Sequence, residues 1–282
     1  MKQIKCIKYI STYIFLTLFL LFFPSNLIAK QPYVGEIVKK TDHVAYYQGK
    51  DGRAKVSMVI MDSHGRKRHR QFIILRMDVE KANKERTSDH QETGEQRLYV
   101  YFLRPADVNK MVFMVWKNVD RDDDRWLYLP ALDLVKRIAA MDKRTSFAGS
   151  DFYYEDVSGR NIGEDIHEIV EVTDKFYVLK NTPKKPDNVE FSYFTMWIHK
   201  STFIPVKTVF YDKHGREHRI YEALKVDTIK GFPTVVKSRM KNVRDGGETL
   251  MTYSNVEYNI GLPPNIFTER YLRKAPRKHL KR

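Results

Sequence analysis

The strongest constraint on the fold comes from a strand-like segment that is apolar on both faces. Along residues 97–104, one alternating set is Leu98, Val100 and Phe102, and the other is Tyr99, Tyr101 and Leu103. Successive side chains of a strand point to opposite sides of the sheet, so both sides of this segment must be covered. Residues 232–243 instead alternate apolar with mainly basic side chains, which is typical of a strand with one wet face. The sequence therefore predicts a curved sheet that is packed on its inside and, in part, on its outside.

Period-two alternation bounded by turn residues predicts twelve strands. Helical spacing of apolar residues predicts one short helix, and Pro263-Pro264 marks the start of a second. The strands are 54–60, 71–77, 97–104, 111–119, 125–130, 166–173, 175–181, 190–200, 203–211, 217–226, 232–243 and 249–258, and the helices are 34–47 and 265–272. Residues 62–66 and 212–216 share Asp-x-His-Gly-Arg, and each separates two strands, so both predict tight hairpins. The polar segments 81–96 and 181–188 are interpreted as loops inside one domain, because strand patterning continues on both sides.

The first 29 residues resemble a secretory signal peptide. Lys2, Lys5 and Lys8 precede a short apolar run, and Pro24 and small residues follow it, with Ala29 at the expected cleavage point. The alternative, a permanent anchor, requires roughly 20 apolar residues, which is more than this run has. The only cysteine, Cys6, lies before the apolar run, so it is not the lipid-bearing cysteine of a lipoprotein. The sequence predicts a periplasmic chain without a lipid anchor, disulfides or cysteine metal ligands.

Charge indicates the class of partner. The formal net charge is +15, and residues 273–282 contain no acid. Such a surface favours anionic partners, and for an exported chain we expect a membrane surface or an envelope complex and not nucleic acid. The basic end is interpreted as a disordered tail, because blocks of like charge repel each other.

No catalytic or metal-binding motif emerges from the sequence. The run Asp120-Arg121-Asp122-Asp123-Asp124 looks like the start of a calcium loop, but its sixth and twelfth positions are Arg125 and Ala131 where an EF-hand has Gly and Glu. The hairpin histidines are exposed beside arginines, which disfavours a cation site. A carboxylate pair among Asp151, Glu155 and Asp156 leaves a hydrolase as an open alternative. We predict a protein that is not an enzyme and has no cofactor or metal.

The most distinctive segment runs from 122 to 156. It contains two short strands and a turn, followed by an aromatic stretch rich in carboxylates, and it includes Trp126-Leu127-Tyr128-Leu129-Pro130 and Gly149-Ser150-Asp151-Phe152-Tyr153-Tyr154-Glu155-Asp156. Both boxes resemble the signature of the outer-membrane lipoprotein-sorting proteins of the LolA-like superfamily, in its larger branch. The rest of the chain after the signal peptide is similar to these proteins more loosely.

The resemblance implies a fold and a function. The fold would be mainly β, with a strongly curved antiparallel sheet that forms an incompletely closed half-barrel with short capping helices, over residues 30–272. The function would be that of a periplasmic carrier or receptor that holds the acyl chain of a lipidated protein or lipid; the alternative is a structural or adaptor subunit of an envelope or export complex. The residues expected to line the acyl cavity are Trp126, Tyr128, Phe147, Phe152, Tyr154, Phe194, Met196 and Ile198.

Overall fold

The structure, a computed structural model, describes residues 33–79 and 94–281. The predicted signal peptide and most of the loop predicted at 81–96 lie outside these residues. None of the helices in the two described ranges has the length and apolarity needed to cross a bilayer.

Within the described ranges the chain forms thirteen strands and four short α-helices. The helices are α1 Val34–Tyr46, α2 Tyr154–Ser158, α3 Arg270–Arg273 and α4 Arg277–Leu280. The strands are β1 Asp51–Met61, β2 Lys67–Asp78, β3 Gln96–Arg104, β4 Val112–Lys117, β5 Asp124–Leu129, β6 Leu134–Arg137, β7 Asp165–Val172, β8 Phe176–Pro183, β9 Tyr193–His199, β10 Pro205–Tyr211, β11 Glu217–Ile229, β12 Phe232–Asn242 and β13 Gly247–Tyr258. Short 3₁₀ turns connect them at Pro130–Leu132, Ala140–Arg144, Ile162–Glu164, Pro186–Asn188 and Pro264–Phe267.

All thirteen strands belong to one sheet. Their spatial order is β6-β5-β4-β3-β2-β1-β13-β12-β11-β10-β9-β8-β7, and every neighbouring pair is antiparallel. Among the described strands, only the β1–β13 seam joins strands that are distant in sequence, and it pairs Gly52 with Tyr258 and Met61 with Glu248. In the described chain β6 and β7 are the two ends of the sheet and do not pair with each other. The predicted fold, an incompletely closed antiparallel half-barrel, is confirmed.

The two predicted hairpins have the same local structure. In the first, Asp62 Oδ1 accepts hydrogen bonds from the backbone N–H groups of His64 and Arg66, both at 3.0 Å. In the second, Asp212 Oδ1 accepts from the corresponding backbone groups at 2.8 and 3.0 Å. Gly65 and its counterpart both have φ near +77°, which a glycine adopts without a steric penalty. The shared motif therefore encodes the turn.

Both faces of the β2–β5 part of the sheet are covered, as the sequence predicts. On the concave side Val100 and Phe102 are buried in a cluster with Phe147, which comes from the segment before α2. On the convex side Tyr99 packs in a second cluster, and its hydroxyl donates to the Tyr271 carbonyl at 2.8 Å. The members that the C-terminal segment contributes to this second cluster are Leu262, Ile266, Phe267, Leu272 and Leu280.

The expectation of a disordered basic tail at 273–282 is corrected by the structure. Helix α4 lies within this range, and Leu280 is buried in the convex-face cluster. The backbone here is also tied to the sheet, because Arg53 Nη1 donates to the carbonyl oxygens of His279 (3.2 Å) and Lys281. The apolar side chains of this segment face the sheet while its charged side chains face solvent, so packing outweighs charge repulsion.

Leu280→Ala is expected to lower the free energy of unfolding by about 2 kcal/mol, because a leucine lost from a packed site costs at least that much. Urea unfolding followed by circular dichroism measures the change. The matched control is Lys278→Ala, an exposed substitution in the same turn of helix, which should be nearly neutral. Equal stability of the leucine variant and the parent would contradict the packing of this segment on the sheet.

Candidate functional site

One cavity of the described chain lies inside the half-barrel, between the concave face of the sheet and α1. Its volume is about 380 Å³. Small-molecule sites in proteins have volumes of roughly 300–1,000 Å³, so this one is large enough for a ligand. Much of the wall is apolar, with contributions from Val38, Leu179, Met196, Ile198, Met240 and Met251.

Helix α1 forms one wall of the cavity because its apolar side chains recur at helical spacing. Ile37 is fully buried and packs with Leu179 and Ile198 of the sheet. The next turns present Thr41, Asp42, Ala45 and Tyr46 to the cavity. The helix thus lies across the hollow and divides the cavity from solvent on that side.

Four of the eight residues predicted to line a cavity do so. Phe152, Phe194, Met196 and Ile198 all contribute to its wall. Phe194 also packs with Phe191 and Phe210 at ring-centroid distances of 5.6 and 5.2 Å. These residues come from two separate segments, the signature box and β9, which the curvature of the sheet brings to one hollow.

Phe147 and Tyr154 are placed in the solid part of the concave face instead. Phe147 is fully buried, and its ring lies 5.6 to 5.8 Å from those of Phe72, Phe102, Phe113 and Tyr154. This aromatic plug fills the hollow beside β2–β4. The side chains of Phe147 and Tyr154 therefore limit how far the cavity extends toward β2–β4, but they are not part of its wall.

Trp126 and Tyr128 do not line the cavity, because they lie on the opposite face of the sheet. In β5 it is Leu127 and Leu129 that pack against the concave-face cluster, so the alternate residues point outward. Trp126 belongs to the convex-face cluster, where its ring lies 5.0 Å from that of Trp116. The prediction assigned these two side chains to the wrong face.

The carboxylates of the Gly149–Asp156 box hold it to the sheet. Thr249 Oγ1 donates to Asp151 Oδ2 at 2.7 Å. Asp156 pairs with Arg219, which is fully buried and lies 3.7 Å above the Tyr153 ring. These partnerships give each side chain a structural role.

Glu155 is the centre of a buried ion cluster at the wall of the cavity. Its side chain is 1% exposed and contacts Lys143 at 2.9 Å, Arg144 at 2.5 Å and Arg160 at 3.3 Å. Burial alone raises the pKa of a carboxyl, but these three cations outweigh it and hold the pKa of Glu155 at about 2. The glutamate is therefore ionised at neutral pH and ties α2 to the 3₁₀ turn at Ala140–Arg144 and to Arg160.

The cluster continues outward through paired groups. Arg144 also contacts Glu190 at 2.5 Å, and Arg160 contacts Asp165 at 2.8 Å. Lys143 reaches Glu164 at 2.6 Å. The arginine and lysine side chains of this cluster are thus neutralised by carboxylates of the same chain.

Hydroxyl groups that the sequence did not single out also face the cavity. Thr41, Tyr46, Tyr221 and Tyr253 all contribute to its wall. In the described residues Thr41 Oγ1 is buried and has no hydrogen-bond partner. The sequence of β12 did indicate that hydroxyl groups face inward, because Thr234 and Ser238 occupy positions of the alternating pattern that otherwise carry buried apolar residues.

The described residues contain no group of three or more histidine, cysteine or acidic side chains that could hold a metal ion. Two aspartates of the run 120–124 are engaged with arginines: Asp123 with Arg125 at 2.6 Å and Asp124 with Arg121 at 2.7 Å.

Comparison with solved structures finds two similar proteins that align over most of their length. A DUF1329 family protein from Desulfovibrio piger is 29% identical, with a TM-score of 0.73, over 84% of this chain and 96% of that one. A putative outer membrane lipoprotein-sorting protein domain from Vibrio parahaemolyticus is 25% identical, with a TM-score of 0.73, over 85% of this chain and 97% of that one.

A third solved structure shares the fold at lower identity. A LolA superfamily protein from Nitrosomonas europaea is 20% identical, with a TM-score of 0.62, over 84% of this chain and 98% of that one. No curated protein matches the chain. A family model described as that of an uncharacterized protein matches residues 94–274, which is more than half of the sequence. The chain therefore belongs to the family of this model, and it has the fold of the DUF1329, outer-membrane lipoprotein-sorting and LolA superfamily proteins among the solved structures.

Proposed function

We propose that this protein is a non-covalent, non-enzymatic carrier or receptor for lipidated protein or lipid between membranes. The observation that carries the proposal is the cavity of about 380 Å³ with an apolar wall, formed by the concave sheet and α1. Each methylene of an acyl chain moved from water into such a cavity contributes about 0.8 kcal/mol. A chain of ordinary length therefore needs no covalent link to be retained.

The similar protein from Vibrio parahaemolyticus is named for lipoprotein sorting, which agrees with this role. Such a role requires a location outside the cytoplasm, and residues 1–29 supply a signal-peptide pattern for it. The net charge of +15 suits an anionic membrane surface or an acidic partner of an envelope complex. We therefore propose the periplasm as the location, with the chain after the signal peptide, including the basic end that packs on the sheet, as the working domain.

Native mass spectrometry after gentle purification tests the proposal. We expect a population carrying the additional mass of one lipid, which disappears after delipidation and returns when an acyl lipid is added. A protein that is always empty and also ignores added acyl probes would rule the carrier role out.

Ala45→Trp is expected to weaken binding of a fluorescent acyl probe by at least about tenfold. Ala45 faces the cavity from α1, so an indole there displaces two or more methylenes of the ligand, and two cost about 1.6 kcal/mol. Fluorescence titration measures the affinity. Met141→Trp adds the same ring at a site that is 87% exposed and away from the cavity, and it should bind as the parent does. Unchanged affinity of the Ala45 variant would place the acyl chain elsewhere.

The aromatic plug favours a second candidate, a structural or adaptor subunit of an envelope or export complex. Phe147 and its four ring neighbours fill part of the hollow. A protein that binds no ligand must fill its hollow with its own side chains in this way. The same mass measurement separates the candidates, because an adaptor has no lipid to lose.

A further inference from the structure

The charged and the uncharged polar groups of the cavity wall differ in whether other groups of the protein already engage them. Among the described residues, every cationic side chain of the wall is already engaged: Arg53 with Glu257, Arg76 with Asp78 at 2.8 Å, and Arg144 and Arg160 with the carboxylates around Glu155. An anionic headgroup inside the cavity would find no unpaired cation among them. It would instead lie near the carboxylates of Asp42 and Asp156, which also line the wall.

The histidine of the wall is engaged as well. His167 Nδ1 lies 2.6 Å from Asn181 Oδ1, and Nε2 lies 2.8 Å from the carbonyl oxygen of Ile162. The Asn181 amide nitrogen donates to the Leu179 and Phe194 carbonyls at 3.3 and 3.4 Å, which fixes the amide oxygen toward the histidine. Both ring nitrogens thus face acceptors of the protein and are not available to a ligand.

The hydroxyl groups of the wall, in contrast, are engaged weakly or not at all by the groups closest to them. Tyr46 makes one long contact of 3.5 Å with the Asp156 carbonyl, and Tyr253 makes a weak one of 3.4 Å with the Met251 sulfur. Thr41 Oγ1 is buried without a partner in the described chain. A buried hydroxyl without a strong partner costs free energy that a ligand oxygen can recover.

These hydroxyls line the same cavity. Tyr221, Tyr253, Asp42 and Asp156 all act electrostatically on Tyr46, and Ser238 lies within hydrogen-bonding reach of both Tyr221 and Tyr253. Burial, with these neighbours, raises the pKa of Tyr46 well above its usual range, and burial also raises the pKa of the other two tyrosines. All three phenols stay protonated and can donate.

We propose that the cavity selects an uncharged acyl lipid whose ester or hydroxyl oxygens accept hydrogen bonds from Tyr46, Tyr221 and Tyr253, and discriminates against a free fatty acid. This proposal rests on the carrier role proposed above. The apolar wall contacts the acyl chain of the lipid, and the three tyrosine hydroxyls contact its head. Thr41 supplies a further hydroxyl from α1, so the helix and the sheet hold the head between them.

Two lipids with the same chain and different heads test this selectivity. Monooleoylglycerol and oleate compete at pH 8 for the purified protein against a fluorescent acylglycerol, each below its aggregation concentration. We expect the glycerol ester to bind about tenfold more tightly or better, since the oleate carboxylate would be buried near Asp42 and Asp156 without an unpaired cation, whereas the ester carries no charge. Equal binding, or tighter binding of oleate, would overturn the selectivity while leaving the carrier role standing. A protein that binds neither lipid would overturn both.

A variant without the three hydroxyls locates the selectivity. In the triple variant Tyr46→Phe, Tyr221→Phe, Tyr253→Phe the rings remain, and we expect affinity for monooleoylglycerol to fall about tenfold while that for oleate changes little. Tyr128→Phe, on the outer face, is the matched control and should keep the parent ratio. A triple variant that keeps the ratio would show that these tyrosines do not select the head. The comparison of the two lipids on the parent protein stands even where a variant folds poorly.

Discussion

Glu155→Gln is expected to lower the free energy of unfolding by about 3 kcal/mol at pH 7. The pKa of Glu155 falls from 4.5 in the unfolded chain to about 2 in the fold, and each unit of difference is worth about 1.4 kcal/mol. The substitution preserves the shape of the side chain but removes the charge to which Lys143, Arg144 and Arg160 are bound. Urea unfolding at pH 7 measures the loss.

The pH dependence of this loss follows from the sign of the shift. A lowered pKa in the fold stabilises the protein fully above pH 4.5, and the contribution disappears as the pH falls toward 2. The gap between parent and variant should therefore narrow in acid. Glu164→Gln is the matched control: it pairs with the same Lys143 and Arg160 but is 34% exposed, and should cost less than about 1 kcal/mol. Equal losses for the two variants would show that burial does not distinguish them.

Asp42→Asn is expected to stabilise the protein by up to about 3 kcal/mol at pH 8. Burial on the inner side of α1 raises the pKa of Asp42 from 3.8 to about 6, and the opposing effect of Lys117 is smaller. The stability that comes from this raised pKa is fully present below pH 3.8 and is lost as the pH rises through 6. At pH 8 the parent therefore carries a buried ionised carboxylate, which the amide variant lacks.

Unfolding by urea between pH 4 and pH 8 tests this prediction. The free energy of unfolding of the variant should exceed that of the parent most above pH 6, and the two values should converge toward pH 4. Glu36→Gln, an exposed acid on the same helix, is the matched control and should shift the curve by no more than about 0.5 kcal/mol. If the difference in unfolding free energy between parent and variant is the same at pH 4 and at pH 8, the carboxylate is not buried. Since Asp42 lies on the helix that covers the cavity, the same titration bears on how tightly that helix is held.

Much of the fold was predictable because local patterns determine it. Alternation located the strands, and the repeated Asp-x-His-Gly-Arg motif located two hairpins whose aspartates bond to their own backbone. The C-terminal end was not predictable in this way. Leu280 stands alone among basic residues, so composition indicated disorder, whereas only the finished sheet offers it a surface to bury against.

The site was predictable only in part, for a reason visible in β5. Trp126 and Tyr128 alternate with Leu127 and Leu129, and both sets are apolar, so alternation alone does not say which set faces inward. Tyr221 and Tyr253 posed a different difficulty. Each is an aromatic residue in an apolar strand pattern, and its hydroxyl becomes informative only when the curvature of the sheet brings the two to one hollow.

The β1–β13 seam sets the order in which this chain can complete its fold. Ten of the thirteen strands, β3 to β12, lie in the sequence between β2 and β13, which are the two partners of β1. Until β13 is available, β1 has an unpaired edge, and the convex surface of its neighbours lacks the C-terminal cover that follows β13. Contacts between such distant residues form slowly. We therefore expect the chain to depend on protection from aggregation until the segment from β13 through α4 is available to pair with β1 and to cover the convex face.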